Sequence, residues 1–144
     1  MIQPDTIKLL RECDAGIKMG VSSIDDVMNH VKDPELKQLL NACKDEHSNL
    51  DKQLQQQLKK YKDQGKDPSF IAEKMAKMKT VMKLGMKDTD QTVADLMTDG
   101  CNMGVKSLNK YLNQYEAADE NSKDITKRLI NLEGQLALDM RKFL

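Results

Sequence analysis

Between Leu36 and Tyr61, residues with apolar bodies recur in steps of three and four, through Leu40, Cys43, His47, Leu50, Leu54 and Leu58. Such spacing draws one stripe along a helix roughly 40 Å long at 1.5 Å per residue and leaves its other faces to water. A stripe of that length is buried only if helices of comparable length lie against it. The rest of the chain supplies them.

Asp5 can cap a first helix over about 5–31, with a seam through Leu10, Cys13, Ile17, Gly20 or Val21, Ile24, Met28 and Val31. In "KDPELK" Asp33 reads as an N-cap, Pro34 as the first helical position and Glu35 as an acid at the positive helix end, so the second helix spans 34–64 and runs antiparallel to the first. Gly65 is expected to end it in the left-handed conformation. A second "KDP", Lys66 to Pro68, opens a short connecting helix over 69–84, closed by Gly85. Asp88 with Gln91 resembles a capping box for a third long helix over 89–116, with Val93, Leu96, Met97, Cys101, Gly104 and Leu108 on one side. After the polar "EAADENSKD", Asn121 or Ser122 caps a fourth over 122–143, which presents Ile125, Leu129, Leu132, Leu136, Met140 and Phe143. The expected fold is all-α: one domain over 1–144, a four-helix bundle of two antiparallel hairpins whose long crossover carries a short extra helix.

Composition narrows the partners. With 23 basic and 23 acidic side chains the net charge is zero, which removes the field expected of a nucleic-acid binder, so no nucleic-acid partner is expected. No apolar run approaches about 18 residues, so no membrane span is expected, and "MIQPDTIKLLRECD" lacks the pattern of a secretory signal. Three Cys without CxxC spacing suggest reduced thiols and a cytoplasmic setting.

"GIKMGVSSIDDVMN" at 16–29 returns as "GCNMGVKSLNKYLN" at 100–113, with Gly, Met, Gly, Val, Ser and Asn identical. The second hairpin therefore reads as a diverged copy of the first. Each helical Gly costs roughly 0.5–1 kcal/mol relative to Ala, so the repeated pair needs a reason. Close packing between the first and third long helices, or room for a large neighbour, would supply it; a ligand pocket is the lesser reading. Counting back from the turns sets Gly104 level with Glu133 and Gly20 level with Asp45.

The segments "LLRECDAGIKMG", "DPELKQLL" and "DGCNMGVKSLNKYL" resemble the ferritin-like four-helix proteins, in particular a bacterial family known only as a domain of unknown function. The resemblance covers nearly the whole chain and implies the fold, with no activity attached. It also implies a test, because ferritin-like relatives hold two irons with carboxylates and Glu-x-x-His pairs. The two histidines, His30 and His47, are preceded at three residues by Val27 and Lys44, so the test fails. Asp99 points to solvent, Asp14 and Glu46 only flank their seams, and Glu133 alone comes near the core. No metal, cofactor or catalytic residue is assigned.

Two features remain. Cys43 and His47 lie one turn apart in the second helix's seam, as two ligands of a soft-metal site, as a thiolate beside imidazolium or, preferably, as a buried thiol and a core histidine with one hydrogen bond. Met75, Met78, Met82 and Met86 form a stripe among lysines on the connecting helix, extended by Phe70, Ile71, Val81 and Leu84. It can bind Cu(I), lie on a membrane or in a partner's groove, or pack on the bundle, and packing is the reading preferred. Its width also admits a two-fold dimer. The expected function is non-enzymatic, by binding or self-association, with metal handling around Cys43, His47, Glu133 or the Met stripe as the alternative.

Overall fold

The computed structural model describes residues 4–144; Met1 to Gln3, which belong to the N-terminal stretch read above for a signal, lie outside the described residues. Among the described residues there are five α-helices and no strand: α1 (Pro4–Met28), α2 (Pro34–Lys60), α3 (Phe70–Met86), α4 (Asp90–Gln114) and α5 (Glu120–Met140), followed by a 3-10 turn at Arg141–Phe143. Each long helix buries the stripe its spacing announced, and α1, α2, α4 and α5 pack on one another.

Cross-helix pairs give the directions. Lys44 meets Asp25 and Arg11 meets Asp63, so α1 and α2 are antiparallel. Arg128 reaches Gln53 and His47 reaches Glu133, so α2 and α5 are antiparallel as well. The core falls into two tiers, one around Leu36, Leu40, Val93, Met97 and Met140, the other around Leu10, Leu54, Leu58, Ile125 and Leu129. Since α2 and α4 both run from the first tier to the second, the chain must return between them; α3 and its flanking links make that return.

The caps depart from expectation in instructive ways. Asp33 accepts from the backbone N–H groups of Glu35 and Leu36, as read. Helix α1, however, stops at Met28 instead of 31, because the Asp90 carboxylate accepts the N–H groups of Lys32 and Asp33 and fixes an extended link. Thr89, not Asp88, caps α4, while Asp88 pairs with His30 and Lys32. Asp119, not Asn121 or Ser122, caps α5 through the N–H of Ser122, and Ser122 is fully buried. Helix α2 ends at Lys60, with Lys62 at φ 54° after it. Gly65 does take φ +81°, but beyond the end of the helix, and a Cβ there would overlap the Asp14 carboxylate. Gly85 does not end α3, which continues to Met86.

Candidate functional site

Halfway along α2, the seam that begins with leucines reaches His47, 1% exposed, and on α5 the seam position between Leu129 and Leu136 is Glu133, 8% exposed. Burial places two polar side chains where an apolar pair would ordinarily sit, and each then needs a partner. They find one another: His47 Nε2 lies 3.0 Å from Glu133 Oε1. The other ring nitrogen is fixed as a donor, because Nδ1 is 2.8 Å from the Cys43 carbonyl oxygen one turn back. Burial alone pulls the imidazole's pKa down, but the hydrogen bonds to Cys43 and Glu133 and the carboxylate's charge outweigh it and push the value up to about 10. The ring is therefore held as imidazolium at neutral pH, with both nitrogens donating.

Two glycines make room for it. A Cβ on Gly20 would stand 2.8 Å from His47 Nε2 and 3.2 Å from Glu133 Oε1, closer than carbon and these atoms tolerate. On the far side Gly104 faces the same carboxylate at an ordinary 3.6 Å. Gly104 thus lies opposite Glu133 as counted from the turns, whereas Gly20 lies beside His47 and not Asp45. The glycines accommodate side chains more than they draw backbones together. Of the earlier pair, Gly16 sits at ordinary distance from Leu129 and Leu108, and Gly100 has nothing within 4 Å.

Cys43 and Cys101 complete the surroundings, both buried. Cys43 Sγ is 3.5 Å from His47 Nδ1, and Cys101 turns to Glu133; burial first, then the carboxylate's charge and hydrogen bond, raise the Cys101 thiol's pKa strongly. A thiol held protonated, as Cys101 is, makes a poor nucleophile and a poor ligand. Among the described residues no three His, Cys, Asp or Glu side chains are arranged to hold a metal ion. Cys13 is in the other tier, 3.1 Å from Thr126 Oγ1, with its pKa pushed up to about 11 by burial.

Asp14 corrects the sequence reading. Instead of flanking its seam it is 1% exposed and accepts hydrogen bonds from Lys18 Nζ, Gln55 Nε2 and the Lys66 N–H, so it anchors the start of the return link. The signal was present: Asp14 lies four after Leu10 and three before Ile17, which is a seam position. Glu46 is exposed as expected, and Asp99 is half exposed and ion-paired with Lys79.

The largest correction concerns α3. The preferred expectation was that its Met stripe packs on the other helices, but Met75, Met78, Met82 and Met86 are 62–85% exposed, as are Phe70, Ile71 and Val81. At 100° per residue these seven span an arc of about 160°. The helix is held by its opposite side, where Ala76 and Thr80 are half buried and Leu84 fully so. Lys77, Lys79 and Lys83 reach Asp26 of α1 and Asp99 and Asp95 of α4. Leu84 therefore belongs to the inner face, not to the stripe. Carboxylates on α1 and α4 gather the lysines inward and leave the apolar arc outward.

With this geometry in hand, comparison gives one placement. Residues 5–114 match the family described as a domain of unknown function (DUF2383), and the chain belongs to that family. No curated protein and no solved structure matches it. No helix among the described residues is long and apolar enough to cross a membrane.

Proposed function

We propose that this member of the DUF2383 family is a ferritin-like four-helix bundle, built by duplication of one hairpin, that acts by self-association and not by catalysis. The observation that carries the proposal is the outward arc of α3. Seven large apolar side chains, each at least 62% exposed, lie on one face of a helix whose polar side is already engaged. Contiguous apolar patches beyond a few hundred Å2 are uncommon on monomers, because leaving them in water forfeits roughly 25 cal/mol per Å2.

A second copy of the chain is the occupant that fits. The arc is centred on Met78, which is also the midpoint of Phe70–Met86. Two such helices crossing antiparallel on a two-fold axis at Met78 overlap along their whole length, with Ile71 of one facing the dent at Gly85 of the other. Gly85 has nothing within 4 Å in the single chain. Seven side chains of this size present on the order of 800 Å2, about what one partner contributes to a standard interface. Most of the helix's charge is already answered: Lys77, Lys79 and Lys83 are tied to carboxylates of their own chain, and Lys74, which falls within the arc, lies over the Phe70 ring at 5.7 Å. Closed two-fold pairing is also the commonest oligomeric solution.

The ferritin-like reading draws support from the helix directions and from Gly20 and Gly104, equivalent in the two repeats, which flank one polar pair. Three free, buried thiols favour a reducing compartment such as the cytoplasm. Metal handling, the alternative, has less support, since both ring nitrogens of His47 are already engaged, by Glu133 and by the Cys43 carbonyl.

Sedimentation of the wild type beside Met78→Glu with Met82→Glu tests the proposal. A dimeric wild type and a folded, monomeric double variant are expected. A monomeric wild type, or a dimer indifferent to both charges, would refute it; a monomer that instead floats with vesicles of anionic lipid would hand the face to a membrane.

A further inference from the structure

Sulfur is distributed in this protein with a clear division. All three thiols are buried, and two of them, Cys13 and Cys101, are held protonated by burial. Among the described methionines, Met97 and Met140 are buried and Met19 and Met28 are half buried. The exposed thioethers are Met75, Met78, Met82 and Met86 on α3, with Met103 on α4. Four of these five exposed thioethers thus lie on the face that the self-association reading makes an interface.

We propose that the methionines of α3 are a redox switch, and that their oxidation by peroxide dissolves the dimer. The proposal rests on the self-association reading. In each step the thioether sulfur donates an electron pair to the peroxide, the O–O bond breaks, one oxygen ends on sulfur as the sulfoxide, and the peroxide leaves as water or alcohol. The reaction consumes one peroxide per methionine. A flexible apolar side chain becomes a polar one that needs hydrogen bonds, and methionine sulfoxide reductases can reverse the change.

Thiols, the usual peroxide sensors, are poor targets here because the reactive species is the thiolate and access is required. Thioethers carry no proton, so their reactivity follows exposure. In the dimer the α3 sulfurs are covered, and oxidation proceeds through the dissociated chain. Sulfoxides then trap that form, because reassociation would bury polar groups without partners. Methionine, where leucine would pack as well, makes the interface reversible by chemistry.

The test uses the full chain treated with hydrogen peroxide, freed of oxidant, and examined by sedimentation, circular dichroism and peptide mass spectrometry. Expected are sulfoxides at Met75, Met78, Met82 and Met86, an association constant weaker by more than about a hundredfold, and unchanged helicity. The methionine sulfoxide reductases MsrA and MsrB should restore the dimer. At protein concentrations well above the dissociation constant, Met103 should oxidise faster than the α3 methionines, which are shielded. A variant with Met75, Met78, Met82 and Met86 all changed to Leu should remain dimeric after the same treatment. A dimer that persists with α3 oxidised, a Leu variant that also dissociates, or loss of helicity on oxidation would overturn the switch and leave the dimer standing. A wild type monomeric before any peroxide would overturn the dimer, and the switch with it.

Discussion

The His47–Glu133 pair and the outer face of α3 break the same rule in opposite directions. One puts charge where the core should be apolar; the other puts methionine, phenylalanine and isoleucine where the surface should be polar. The difference lies in what each finds within its own chain. His47 has a carboxylate at 3.0 Å, a carbonyl at 2.8 Å and a glycine that makes room, so its irregularity is closed internally. The α3 arc has no such counterpart, since its helix already meets α1 and α4 through the opposite side. Only the second irregularity calls for something outside the chain, and for that reason the functional reading rests there.

Perturbing the two regions should separate them by stability. Replacing Glu133 with Leu leaves His47 buried with an unanswered ring nitrogen and should cost about 3 kcal/mol, read as a lower urea midpoint. Replacing both partners, His47→Leu with Glu133→Leu, should recover most of that loss, because a buried ion pair exchanged for apolar side chains of similar volume is often neutral. If the double change costs as much as the single one, the pair does more than satisfy itself. On α3, Met78→Glu with Met82→Glu should leave the folding stability of the isolated chain nearly unchanged while abolishing association.

Acidity sharpens the same contrast, more gently. The folded-state pKa of His47 is raised to about 10 from an unfolded value near 6.5, so the protonated ring favours the native state. That contribution is complete below about pH 6.5, declines as pH rises, and is gone beyond about pH 10. The groups facing the ring are Glu133 from α5 and Cys43 on its own helix, with Cys101 from α4 beside the carboxylate. Unfolding free energies between pH 6 and 10 should therefore fall more steeply for the wild type than for His47→Gln. Parallel profiles would mean that the ring does not titrate as the geometry demands.

Much of this could be read from the sequence because helix packing is local and periodic. The seam through Leu36, Leu40, Cys43, Leu50, Leu54 and Leu58 is buried as spaced. The Asp33–Pro34 restart also holds, because one side chain and one imino acid suffice to start a helix. What escaped was decided across helices. Asp90 ended α1 early by capturing the N–H groups of Lys32 and Asp33, more than fifty residues away in sequence. Glu133 was placed near the core, but its pairing with His47 depended on rotations about two axes that spacing does not fix. The stripe of α3 was read too wide, since Leu84 turns inward, and its preferred assignment, packing on the bundle, put it on the wrong side. Spacing gives the width of an apolar face and not the direction in which it turns; here the side carrying Ala76, Thr80 and Leu84 meets the other helices.

The smallest effect, and the finest test of how the interior closes around its charge, is a methyl group. A helical Gly changed to Ala gains up to about 1 kcal/mol in propensity where space allows. At Gly104 the added Cβ would rest at 3.6 Å from Glu133, ordinary contact, so Gly104→Ala should be neutral or slightly stabilising. At Gly20 the same methyl meets His47 Nε2 at 2.8 Å and Glu133 Oε1 at 3.2 Å. The ring cannot swing away freely, because its Nδ1 is held by the Cys43 carbonyl and its Nε2 by the carboxylate. Gly20→Ala should therefore lose the propensity gain to overpacking and come out destabilised by about 1 kcal/mol. Combined with His47→Leu and Glu133→Leu, which remove the polar atoms crowding that position, the penalty should change, because contacting residues couple. Thermal melts of the two alanine variants, run side by side, decide the matter. If they move together the glycines serve helix approach alone; if only Gly20→Ala falls, the two glycines have divided the task, one making room for the pair and the other merely facing it.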